Sequence, residues 1–126
     1  SLLVPGNSWY DYHKECGDFY TSKFLELGLL DKADVQNEDK NWPAYKKYMM
    51  HGTSHHMGLD THDYGILSDK FVENMVFTVE PGIYLPAEGF GIRIEDDVVI
   101  QNSGEPFNLM KNIPIEVEEI EELMNS

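Results

Sequence analysis

Apolar side chains recur at intervals of three and four between Trp9 and Leu30, at Tyr12, Cys16, Phe19, Tyr20, Phe24 and Leu27. That spacing predicts a helix with one buried face. Asn7 or Ser8 is placed to cap its start and Gly28 to stop it. Ahead of it, Leu2-Leu3-Val4-Pro5-Gly6 reads as an extended lead-in ending in turn chemistry. Residues 31–41 are polar and suit a second short helix or a loop, and Trp42-Pro43 breaks the pattern before an aromatic-rich run to Met50. Further on, the period shortens to two. Met75 to Tyr84 reads as a strand with Met75, Phe77 and Val79 on one face and Val76, Thr78 and Glu80 on the other. Gly91 to Ile100 reads as a second, with Ile92 and Ile94 opposed to Arg93 and Glu95. Leu85 to Phe90, with Pro86 and Gly89 as turn residues, suits a hairpin loop between them. Residues 102–106 form a loop, and Pro114 opens a last helix carrying Val117, Ile120, Leu123 and Met124. Its early Glu116, Glu118 and Glu119 complement the helix dipole. The predicted class is α+β, an antiparallel sheet covered by helices.

Composition narrows this picture. A chain of 126 residues with 41% hydrophobic side chains supports one core and one domain at most. The net charge of −14 excludes nucleic acid as a partner, since its phosphates would be repelled. No apolar run approaches the roughly 20 residues of a membrane span, and no signal-peptide pattern is present, so no membrane partner is expected. The lone Cys16 has no partner for an internal disulfide, which predicts a cytoplasmic setting. The sequence opens at Ser1 without an initiator methionine, as a piece of a longer protein would.

The chemistry concentrates between residues 51 and 95. His51, His55, His56 and His62 precede two glutamates, Glu80 and Glu95, set within apolar runs. A carboxylate in such a place is costly unless it meets a cation or a hydrogen-bond donor. If the two strands pair, both carboxylates can converge on one surface, where a divalent cation shared with an imidazole would satisfy them. The competing reading pairs Glu95 with Arg93 or a distant lysine and leaves Glu80 facing water; spacing does not choose between the two. Gly52, Thr53, Ser54 and Gly58 make a regular helix through the histidines unfavourable. His56 is read as a surface or core residue and His13 as structural or solvent-facing. No phosphate-binding loop or dinucleotide fingerprint is present. Cys16 has no local zinc partner.

Three ordered motifs carry a resemblance: His51-Gly-Thr-Ser-His55…Gly58-Leu-Asp60-Thr-His62-Asp63, Thr78-Val-Glu80-Pro-Gly-Ile-Tyr84 and Gly91-Ile-Arg93-Ile-Glu95-Asp96. They resemble the pita-bread metallopeptidases, most closely their aminopeptidase P branch, with prolidase the near relative. The resemblance implies an α+β catalytic domain of two similar halves around a dinuclear centre, commonly manganese. It implies hydrolysis of the bond between an N-terminal residue and a following proline, so the expected partner is a peptide with proline second. Carried over by position, it makes His55, Glu80 and Glu95 metal ligands, with Glu95 bridging. His51 and His62 become residues that contact substrate and assist proton transfer, and Arg93 one that bonds near the bridging carboxylate. The family's remaining two ligands are aspartates on a hairpin in the first half of the domain, and no such hairpin occurs here. Residues 1–126 are therefore expected to be the C-terminal part of such a domain, with three of five ligands. On that count the chain alone is expected to bind manganese weakly or not at all, to be inactive, and to form a homo-oligomer through surfaces its missing half would cover. A prolidase-type dipeptidase and a non-catalytic pita-bread binding module are the alternatives. Loss of His56 is expected to be mild.

Overall fold

The computed structural model describes residues 2–126. Helix α1 runs Trp9–Glu26 behind Ser8, whose hydroxyl accepts from the Asp11 amide at 3.2 Å and donates to its carboxylate at 2.7 Å. It ends where Leu27 caps it and Gly28 takes φ of +70°, a left-handed turn that a Cβ would strain. Of the expected apolar stripe, Tyr12, Cys16, Tyr20 and Phe24 are buried, four residues apart, whereas Phe19 and Leu27 are 57% and 63% exposed. Phe19 lies about 100° round the helix from Tyr20, off the packed side, and Leu27 falls beyond the last helical turn. Helix α2, Lys32–Gln36, opens with a capping box between Asp31 and Asp34, and a 3-10 turn spans Ala44–Lys47.

Each long apolar run breaks once. Strand β1, Val76–Val79, is separated from β2, Gly82–Leu85, by Glu80-Pro81; β3, Phe90–Arg93, is separated from β4, Asp96–Val99, by Ile94-Glu95. Pro81 has no amide hydrogen to continue the ladder, although its carbonyl still accepts from Ile94 at 3.4 Å. The pairing across the hairpin is antiparallel, with Gly82↔Arg93 through Leu85↔Phe90 inside and Val76↔Val99 through Val79↔Asp96 outside. A short β5, Phe107–Asn108, which the sequence reading placed in no element, extends β4 on its other side. The two glutamates therefore sit in breaks opposite one another, and not within continuous strands.

The stretch of histidines supplies the remaining edge of β1. Glu80 N donates to the Thr53 carbonyl at 2.7 Å, Thr78 N to His55 O at 3.1 Å and Met57 N to Val76 O at 3.3 Å, with an antiparallel bridge at His56↔Phe77. Helix α1 lies over this sheet, so that Trp9, Tyr12, Tyr20 and Phe24 join Phe71, Phe77, Val98 and Ile100 in one core. The last helix, α3, spans Val117–Met124, beginning three residues after the expected Pro114, and buries none of its residues. Among the described residues, no helix is long and apolar enough to cross a membrane.

Candidate metal centre

Residues 53–57 lie antiparallel to β1, which sets His55 beside Thr78 and two positions from Glu80. The His55 amide also donates to the Thr78 hydroxyl at 3.1 Å. Its ring Nδ1 lies 2.9 Å from the His56 carbonyl, which can only accept. Nδ1 therefore carries a proton, and Nε2 is the ring atom left to meet a cation. That Nε2 sits 3.3 Å from Glu80 Oε1. Two acceptors that face each other at this distance require a proton or a cation between them, and neighbouring donors of a six-coordinate cation are roughly 3 Å apart.

Glu80 is only 9% exposed, and its second oxygen accepts from Arg93 Nη1 at 2.9 Å. The other arm of the same guanidinium meets Glu95 Oε2 at 3.1 Å. Arg93, the last residue of β3, thus forks between the two breaks and holds both carboxylates. The expected pairing of Glu95 with Arg93 and the expected convergence of the glutamates are both present, since one oxygen of each carboxylate remains outside the fork. Donor atoms of His55, Glu80 and Glu95 lie within 4.8 Å of one another, the one such group of imidazole and carboxylates among the described residues. Hard oxygens and one imidazole suit a divalent cation. The donor set fits one ion.

The remaining candidates divide. His62, exposed, packs its ring edge-on to His55 with centroids 4.2 Å apart. His51 instead holds its Nδ1 at 2.8 Å from the Gly52 carbonyl and its Nε2 at 2.7 Å from the Tyr84 hydroxyl. With Nδ1–H donated to the Gly52 carbonyl, the neutral form of the ring accepts at Nε2 from the Tyr84 hydroxyl. Tyr84 was not among the sequence-derived candidates, although it closes the Glu80-Pro-Gly-Ile-Tyr84 motif. Its signal was a polar aromatic at the end of an apolar strand. His56 and His13 pack against Trp9, and burial lowers both pKa values. Asp63 accepts from the amides of Leu59 and Tyr64 at 2.8 and 2.7 Å, which holds its carboxyl below the usual range and ties the loop bearing His62.

The profile of Metallopeptidase family M24 matches residues 1–102. The chain belongs to metallopeptidase family M24. Membership in M24 implies divalent metal ions, in keeping with the donor set. Xaa-Pro aminopeptidases of Haemophilus influenzae and Escherichia coli K12 are each 39% identical, in alignments covering 98% of this chain but 31% and 30% of those relatives. This M24 chain thus spans less than a third of their length. Among solved structures, aminopeptidase P from E. coli with the inhibitor Pro-Leu superposes with a TM-score of 0.77 at 36% identity, covering 98% of this chain and 30% of that one. Proline aminopeptidase P II from Yersinia pestis gives 0.73 at 33%, with 98% and 31% covered. The α+β architecture is accordingly part of a pita-bread fold.

Proposed function

We propose that these residues form the C-terminal part of the catalytic domain of a Xaa-Pro aminopeptidase, and that His55, Glu80 and Glu95 hold a divalent cation there. The observation that carries this is the convergence of those three donors within 4.8 Å. When bound, the ion supplies Lewis acidity toward a peptide carbonyl and lowers the pKa of water. His55 keeps Nε2 free for it by donating Nδ1–H to the His56 carbonyl. Arg93 fixes the carboxylates of Glu80 and Glu95 in register, sparing one oxygen of each. His62, exposed beside His55, is the proposed proton carrier, and His51, with its ring set by Tyr84, the proposed substrate contact. Manganese suits the oxygen-rich set, and a peptide with proline second is the proposed substrate. A second ion needs donors beyond the group described here, so the chain by itself is expected to bind manganese weakly and to leave peptides uncut. The unpaired Cys16 supports a cytoplasmic setting.

Calorimetric titration with manganese tests the site. Glu80→Gln and His55→Ala should each abolish the weak binding, whereas Glu88→Gln, on the hairpin loop, should not. In the longer enzyme, Glu95→Gln should remove nearly all turnover of a Xaa-Pro peptide while folding is kept. Undiminished binding in both ligand variants, or full turnover with Glu95→Gln, rejects the assignment.

A further inference from the structure

His56 carries no assigned chemistry, yet its backbone carbonyl receives two hydrogen bonds that matter to the site. One comes from His55 Nδ1–H at 2.9 Å, the bond that aims Nε2 at Glu80. The other comes from the Asp63 amide at 3.0 Å. Asp63 in turn closes the 59–64 loop through its carboxylate, and His62 rides on that loop against His55. A single carbonyl therefore orients the candidate ligand and anchors the loop of the candidate proton carrier.

What fixes that carbonyl is the side chain of the same residue. The His56 ring accepts from Trp9 Nε1–H at 3.3 Å and packs edge-on against Trp9 and Phe77, with centroids 5.3 and 4.6 Å away. Both partners belong to the core, at 4% and 0% exposure. Gly65 closes the other side, where a Cβ would overlap the imidazole. The backbone bridge to Phe77 completes the clamp. An ordinary packed histidine needs none of this to coincide with a doubly bonded carbonyl.

We propose that His56, held by Trp9 and by the space at Gly65, is a positioning residue that sets the tautomer of His55 and the placement of the His62 loop. The inference rests on the reading of His55 as a ligand for its functional meaning, but not for its structural content. It also departs from the expectation that loss of His56 is mild.

The test uses two independent routes to the same ring. His56→Ala removes it, and Gly65→Ala displaces it without altering His56. Long-range 15N spectra of the metal-free protein, taken where histidines are neutral, report the His55 tautomer, and amide exchange reports the Asp63 N–H. The wild-type protein should show His55 as the Nδ1–H form. Both variants should mix the two tautomers, speed Asp63 exchange at least about 10-fold, and weaken manganese binding by roughly 10–100-fold, as loss of an orienting partner does. His56→Phe, which keeps the ring packing and loses only the acceptor, should restore most of the wild-type behaviour. If the variants lower the melting temperature while the His55 tautomer and Asp63 exchange stay at wild-type values, His56 is only a packing residue and the proposal fails. Should His56→Ala fail to fold, Gly65→Ala and Trp9→Phe decide by the same spectra. These readouts involve no peptide cleavage, so a changed tautomer alongside undiminished manganese binding by Glu80→Gln and His55→Ala would retain this inference while rejecting the proposed function.

Discussion

His13 lies flat on Trp9, with ring centroids 5.3 Å apart and planes 18° from parallel, and burial lowers its pKa with help from Lys46. Lowering favours the neutral ring in the folded state, which fixes the sign of its effect. Above the ordinary value of 6.5 the residue is neutral folded or unfolded, and its contribution to stability is complete. As pH falls below 6.5 the unfolded chain takes up the proton first, and stability drops until the folded ring titrates too. Melting curves between pH 7.5 and 5 should therefore show a decline that His13→Phe reduces. Identical pH dependence in the two proteins would contradict the burial argument. The buried hydroxyls work differently: Tyr12 meets Ser54 at 2.5 Å and Tyr20 meets Thr53 at 2.9 Å, which ties α1 to the segment that places His55. Both phenols are pushed above their usual range by burial, so they remain uncharged.

Among the elements, α1 does most to place the site, because its buried stripe and its two phenols hold residues 53–57 along β1. Its start depends on Ser8, whose hydroxyl and Asp11 bond reciprocally. Ser8→Ala should cost about 1 kcal/mol, the ordinary worth of such a cap, while Ser8→Thr keeps a hydroxyl that both donates and accepts and should cost less. Chemical denaturation measures both, and an alanine variant as stable as the parent would show that the cap adds nothing here. Helix α3 stands in contrast. It has no side-chain cap, and Val117, Leu123 and Met124 are more than half exposed. The apolar positions give it a face, but the described chain gives that face nothing to cover.

On the scale of the whole molecule, a groove of about 710 Å³ opens between α1 and the β2–β3 hairpin, lined by Phe19, Leu27, Ile83, Phe90, Ile92 and Ile94. So large an apolar surface favours association, while the net charge of −14 opposes it through self-repulsion. Added salt screens the repulsion and leaves the apolar attraction in place. The mass seen by light scattering should therefore rise with protein concentration and rise further with sodium chloride, and Ile92→Glu should lower it. A monomeric mass under all these conditions would overturn the expected self-association.

The sequence by itself determined the local pieces: the helix from Trp9, its stop at Gly28, the hairpin between apolar runs, and the histidine and glutamate types that suit a cation. Spacing, caps and turn residues act within a few positions, so they are legible in order along the chain. Tertiary structure decided the rest. Whether Phe19 or Leu27 was buried depended on which side of α1 met the sheet. The breaks at Glu80-Pro81 and Ile94-Glu95 became one site only because antiparallel pairing set them opposite each other. His55 joined them because residues 53–57 took the free edge of β1, more than twenty positions away in sequence. The forked bond of Arg93, the pairing of His51 with Tyr84 and the double role of the His56 carbonyl follow from that register. A shift of one residue would turn every side chain to the other face, and no local pattern records which register closes.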